Sequence, residues 1–297
     1  MKSRFRILAL ILPLIIGTGL LIKRATYKSM QVNGMVAARP WIIAHRGGAG
    51  LWPENTLVAF EGAVGLGVDA LEMDVWPTKD GVWVLHHDED VGRTSNGHGP
   101  VSGFDLEALS ELDFGYQFAP ESNYPFRGQG LGVLTLAEVL LKFDDIPMSI
   151  EVKTPDKEPL PELVSLLKKF RALDRCVISS FYDEIIVALR KLEPNLLTSP
   201  TKSETKRHIV GYMMGVDRLF QPFGQVYQLP VEHEGRRILT KSFVDNCHER
   251  GQLVWAWTID DAQEMGELLE MGIDGLITNR PDIAIQTVRG GDIVDSI

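Results

Sequence analysis

Between Trp41 and Thr278 short apolar runs alternate with amphipathic stretches, and this alternation limits the fold more than any other feature of the chain. The runs "WIIAH", "ALEMDVW", "GVWVLHH", "PMSIEVK", "RCVISSF", "QLVWAWT" and "IDGLIT" read as buried strands. The clearest helical patterns are "ENTLVAFEGAVGLG", "LPELVSLLKKFRAL", "DEIIVALRKLE", "TKSFVDNCHERG" and "DDAQEMGELLEMG", several of which close on Gly. Strands alternating with helices predict parallel βαβ units. About eight strands fit the span, the count of a (β/α)8 TIM barrel of about 250 residues. A doubly wound open sheet is the structural alternative. The barrel is expected over residues 40–290. One stretch within it, about 88–145, is rich in Gly, Ser, Asn and Pro and weakly periodic, and reads as a small insertion after the second or third strand.

Ahead of the barrel, Lys2, Arg4 and Arg6 precede 16 apolar or small residues from Ile7 to Ile22, closed by Lys23 and Arg24. The run falls short of the roughly 20 residues of a spanning helix, but flanking cations extend it by snorkelling. No small-residue cleavage site follows directly, so the expectation is an uncleaved N-terminal membrane anchor over 1–24 with a linker over 25–39, rather than a signal peptide. Cations on both sides leave the topology of this membrane-anchored arrangement open. A net charge of -10 over 297 residues argues against nucleic acid as the partner. Cys176 and Cys247 cannot make a disulfide framework and read as small buried hydrophobes.

The polar residues fall where a barrel puts its chemistry, at the C-terminal ends of strands. "WIIAHRGG" ends in His45 and Arg46; "ALEMDVW" carries Glu72 and Asp74; "GVWVLHHDED" ends in His86, His87 and Asp88; "PMSIEVKT" ends in Glu151 and Lys153. Side chains two apart in a strand share a face, so Glu72 and Asp74 point together, as do Glu151 and Lys153. Like charges on one side of a buried strand are costly unless a cation neutralises them. Glu72, Asp74 and Glu151 therefore make a hard-oxygen site suited to Mg2+ or Ca2+ rather than Zn2+. Arg46 and Lys153 add fixed cations for an anionic phosphate. Two histidines at separate strand ends suit acid and base, and the set as a whole suggests phosphodiester cleavage. His86 and His87 point to opposite faces of one strand, and alternation alone does not choose between them.

These residues resemble the glycerophosphodiester phosphodiesterase family. The stretch from "IIAHRGG" through "PENT", "LEMD" and "HHDED" follows its signature, and "IEVK" and "GIDGLITNRPD" agree with it, over roughly residues 41–285. The resemblance implies a (β/α)8 barrel with an insertion after the HD motif. It implies His45 and His87 as the acid–base pair, which settles the histidine choice, and Glu72, Asp74 and Glu151 as ligands of a divalent cation, Mg2+ or Ca2+. Arg46 and Lys153 match the phosphate-contacting cations, and Trp257 matches an aromatic near the substrate. Glu54 and Asn55 of "PENT" read as caps and braces of the first helix. His98, His208, His233 and His248 lack evident partners and read as surface residues.

The implied reaction is metal-dependent hydrolysis of a small-molecule glycerophosphodiester to glycerol 3-phosphate and an alcohol. The nucleophile is left open between water and a neighbouring hydroxyl of the substrate. An alternative keeps the chemistry and takes a lysophospholipid, with the apolar stretch "GYMMGVDRLFQPFGQVYQLPV" at 211–231 lining an acyl channel, though the favoured reading of that stretch is barrel core plus a loop. A third reading, a catalytically silent barrel, predicts a missing ligand or histidine, and none is missing.

Overall fold

Strands form where continuous runs of branched and aromatic residues can be buried on both sides. The computed structural model describes residues 40–290. Its strands are β1 (Trp41–Ala44), β2 (Ala70–Pro77), β3 (Trp83–Leu85), β4 (Met148–Val152), β5 (Cys176–Ser179), β6 (Leu197–Thr198), β7 (Val226–Pro230), β8 (Glu232–His233), β9 (Arg236–Arg237), β10 (Leu253–Trp257) and β11 (Gly275–Thr278). The helices are α1 (Leu57–Leu66), α2 (Leu106–Ser110), α3 (Leu136–Lys142), α4 (Leu160–Lys169), α5 (Asp183–Leu192), α6 (Lys202–Met213), α7 (Lys241–Glu249), α8 (Ala262–Met271) and α9 (Pro281–Arg289).

Eight strands pair in parallel in the order β6-β5-β4-β2-β1-β11-β10-β7. The two end strands, β6 and β7, share no ladder. Gln225 spans the seam instead: its N–H donates to the Thr198 carbonyl at 2.8 Å and its Oε1 accepts from the Thr198 N–H at 2.9 Å. The result is a nearly closed eight-stranded parallel barrel wrapped by helices.

Period-two alternation sorts each strand into an inside and an outside. Trp41, Ile43, Ala70, Val177, Val226, Trp255 and Ile277 pack together as the lumen, with the Trp41 and Trp255 rings stacked at 5.9 Å. Ile42, Ala44, Leu71, Met73, Val75, Met148, Ile150 and Val152 belong to the larger core shared with the helices. Glu72 and Asp74 share the face of Ala70, and Ser149 and Glu151 lie opposite to Met148 and Ile150, so all four point inward. The helices start where their sequence can satisfy free N–H groups: Thr135–Glu138 and Thr201–Glu204 are reciprocal capping boxes, and Thr56 caps α1.

Four expectations change. "GVWVLHH" is not a barrel strand: β3 runs antiparallel to the outer half of β2, pairing Val75–Pro77 with Leu85–Trp83. The eight-strand count is reached through β6 and β7, whose short runs were not among those read as strands. The stretch expected as an insertion over 88–145 packs Val91, Val101, Leu109 and Phe114 against Val84 of β3 in a small core, but it also contains α3, whose Leu136, Val139 and Leu140 belong to the main core. Finally, the membrane anchor is withdrawn. The segment 1–24 lies outside the described residues, and among those no helix is long and apolar enough to cross a membrane.

Candidate active site

The site begins with a tight turn. After β1 the chain tightens into a 3-10 turn over His45–Gly47, with Arg46 at φ 52° and Gly47 at φ 83°. That turn aims the Arg46 N–H inward, where it donates to Glu72 Oε2 at 2.9 Å. The Arg46 side chain lies between two carboxylates, with Nη1 donating to Glu54 Oε1 at 2.9 Å and Nε 3.1 Å from Asp74 Oδ2. Asn55, also left-handed at φ 57°, donates its amide to Asp74 Oδ2 at 3.1 Å. The "PENT" residues thus do more than cap a helix. Glu54 holds a guanidinium and Asn55 holds a buried carboxylate.

On the lumen face, β2 and β4 place Asp74 beside Glu151 in register. Carboxylate oxygens of Glu72, Asp74 and Glu151 all lie within 4.8 Å of one another. Asp74 is 1% exposed and Glu72 5%, so their mutual repulsion is little screened. Burial, and next the charge of Asp74, push Glu72 well above the usual carboxylate range; burial likewise raises Glu151. Lys153 Nζ sits 2.8 Å from Glu151 and 3.1 Å from Asp74. Burial alone would lower the Lys153 pKa, but these two charges outweigh it and raise it. Asp74 Oδ1 and Glu151 Oε1 are buried and accept no aligned hydrogen bond despite the nearby ammonium. Buried carboxylate oxygens left in this state are what a hard divalent cation takes as ligands. The donor set fits Mg2+ or Ca2+.

The two histidines are oriented by different means. The Asn279 amide donates from Nδ2 to Asp260 Oδ2 at 2.8 Å, which turns its Oδ1 toward His45 Nδ1 at 2.7 Å. His45 therefore carries its proton on Nδ1 and presents a bare Nε2, 3.9 Å from Glu72 Oε2. Burial, then the charge of Arg46, lower its pKa and keep it neutral. His87 Nδ1 meets Asp88 Oδ1 at 2.6 Å. The neighbouring His86 N–H donates to the Asp74 carbonyl at 3.1 Å, which ties this segment to the outer half of β2. His86 is occupied elsewhere: its ring nitrogens bond the Asp88 carbonyl at 2.7 Å and Thr94 Oγ1 at 3.0 Å, and it packs edge-on against Phe114.

Trp257 ends β10 and meets Phe181 edge to face, 6.3 Å between centroids, while Lys153 Nζ lies 5.9 Å from the Phe181 ring. The aromatic pair therefore flanks the cationic side of the cluster. Phe181 is 59% exposed, the state of a side chain at a mouth rather than in a core.

Asn279, Asp260 and Arg93 were not among the residues singled out from the sequence. Asn279 lies within the quoted "GLITNRPD", after a strand, and that placement was its one available signal. Of the histidines read as partnerless surface residues, one is buried and one is exposed but paired. His208 is buried, bonded to Tyr227 Oη at 2.6 Å and to Asn246 Oδ1 at 2.8 Å; His248 bonds Asp274 at 2.8 Å. The stretch 211–231 divides between the exposed end of α6, with Met213 and Met214 open to solvent, and the buried strand β7. The exposed half precedes β7 and so lies at the N-terminal end of the strands, opposite to the carboxylates.

Comparison with known proteins agrees with this geometry. The glycerophosphoryl diester phosphodiesterase family matches over residues 45–283. A glycerophosphodiester phosphodiesterase of Caldanaerobacter subterraneus is 32% identical over 257 residues, covering 84% of this chain and 98% of the relative. In fold, the chain is similar to the glycerophosphoryl diester phosphodiesterase domain of a Mycobacterium tuberculosis protein, with a TM-score of 0.75 at 22% identity over 84% of this chain and 98% of that one. It is also similar to a phosphodiesterase of Oleispira antarctica solved with the product sn-glycerol-3-phosphate, with a TM-score of 0.67 at 24% identity over 84% and 96%.

Proposed function

Because this chain belongs to the glycerophosphoryl diester phosphodiesterase family and is a phosphoric diester hydrolase, we propose that it cleaves small glycerophosphodiesters to glycerol 3-phosphate and an alcohol, with a divalent cation held by Glu72, Asp74 and Glu151. The observation that carries the reading is the meeting of these three carboxylates with Arg46 and Lys153 at one end of the barrel. Three negative charges against two fixed positive ones leave an excess that a divalent cation reverses, making the site complementary to a phosphodiester anion. The bound cation supplies electrostatic stabilisation of charge on the phosphoryl oxygens.

The side chains divide the remaining work. Arg46 and Lys153 bind and orient the phosphate oxygens. His45, neutral and with a bare Nε2, takes the proton of the attacking hydroxyl. His87 delivers a proton to the leaving oxygen from Nε2, its ring held by Asp88. Trp257 and Phe181 shield the reacting centre from bulk water. The lysophospholipid alternative is not favoured, because the stretch that would line an acyl channel lies away from these groups.

The test is release of glycerol 3-phosphate from glycerophosphocholine, with lysophosphatidylcholine in parallel. EDTA should abolish turnover and Mg2+ or Ca2+ restore it, and Glu72→Ala should stay inactive with metal added. Turnover unchanged by EDTA would overturn the metal assignment, and turnover of the lysolipid alone would overturn the substrate.

A further inference from the structure

Arg93, on the segment that follows β3, joins groups that belong to separate loops. Its Nη1 and Nη2 donate to both oxygens of Glu54, at 2.8 and 2.6 Å, and its Nε donates to Asp88 Oδ2. Asp88 receives His87 Nδ1–H on its other oxygen at 2.6 Å, and Glu54 receives Arg46 Nη1–H at 2.9 Å. One unbroken hydrogen-bonded path therefore runs from Arg46 through Glu54, Arg93 and Asp88 to His87. Burial would raise both carboxyls, but the Arg93 hydrogen bonds, with Arg46 for Glu54 and His87 for Asp88, hold each at a pKa of about 2. Only a planar, forked cation satisfies two carboxylates at once in this way.

We propose that Arg93 is a positioning residue: it clamps Asp88 against His87 and Glu54 against Arg46, and so sets the spacing between the proton donor and the phosphate cation. This rests on the phosphodiesterase reading above. Without Arg93, Glu54 keeps only Arg46 and Asp88 only His87, with nothing to join the two pairs, and Asp88 is free to leave His87. Arg93 is 47% exposed and its pair with Glu54 lines a cavity of ≈ 240 Å³ together with Thr94, Phe114 and Gln117. A guanidinium ion from solution can therefore take the vacated place.

The experiment compares wild type, Arg93→Ala and Arg93→Lys on glycerophosphocholine with saturating metal, with and without added guanidinium, and reads the His87 ring nitrogens by 15N NMR. Expected is a fall in kcat of about 10–100-fold for Arg93→Ala with little change in KM, as misplacement of a catalytic group produces. Guanidinium should recover much of the loss, Arg93→Lys should recover less, and the His87 ring should lose its fixed Nδ1-protonated form in the alanine variant. Wild-type kcat in Arg93→Ala overturns the proposal, as does a loss that guanidinium does not repair while the His87 tautomer stays unchanged. A wild-type protein without turnover would instead overturn the functional reading, and the tautomer measurement would still decide whether Arg93 holds the Asp88–His87 pair.

Discussion

Gly47 sits where backbone shape and side-chain chemistry meet. A Cβ at this position would lie 2.7 Å from Ala59 Cβ and 3.0 Å from the Ala59 carbonyl carbon, and φ 83° is itself costly for any L side chain. Gly47→Ala should lose about 1–3 kcal/mol of stability from backbone strain alone. It should also lower kcat at a temperature where the variant stays folded, because the turn aims Arg46 and His45; thermal melts beside steady-state kinetics would check both. His45→Gln should lower kcat by about 10²–10⁴-fold with its fold intact, and Asn279→Ala should lower it less, since it frees the ring without removing it. The carboxylates were legible in the sequence because strand alternation is local: Glu72 and Asp74 share a face whatever the tertiary structure. Asn279 was not, because it meets His45 across 234 positions, and no periodicity reports such a contact. Arg93 was hidden for the same reason, bridging Glu54 at a separation of 39.

Among the elements, α6 carries His208, which was expected at the surface. The helix instead turns His208 into a buried network with Tyr227, Asn246 and Asp217. Burial lowers the His208 pKa, so in the unfolded chain it takes a proton near 6.5 that the folded chain refuses. Its contribution to stability is complete above that value and is lost as pH falls through it toward the lower folded pKa. His248 has the opposite sign: its hydrogen bond to Asp274 raises its pKa, so its contribution is present below 6.5 and fades as pH rises through the folded value. Together they place a maximum of stability near pH 6.5, with a loss on each side. His208→Gln should flatten the acid side of a stability–pH curve and His248→Gln the other side, as urea unfolding at stepped pH would show. The apolar strands were legible because branched runs read alike in any parallel sheet. β3 was misassigned because three buried residues, "WVL", look the same in an antiparallel hairpin as in a barrel.

For the whole molecule, strand–helix alternation was enough to announce the barrel, but not how it closes. Closure depends on β6, two residues long, and on two glutamines spanning the seam, Gln225 at Thr198 and Gln228 at Ser199. Ladder hydrogen bonds protect the inner barrel strands on both sides, whereas across this seam one backbone bond and two side chains do so. Amide exchange should therefore be faster at Leu197, Thr198 and Gln225 than at β1, β2, β4 or β11, and Gln225→Ala should widen that difference; exchange read by mass spectrometry would show it. The same seam sorts the chemistry by chain position. His45, Arg46, Glu72, Asp74, His87, Glu151 and Lys153 all precede it, while Asp260, Asn279 and Trp257 follow it. A cut near Gly215 would cross no strand pairing, leaving one piece with the reactive groups and another with the residues that orient them. Each piece alone has an open sheet edge, and the two should find each other through β1–β11. The enzyme is thus a ready substrate for fragment complementation, in which activity appears only when two separately made halves meet.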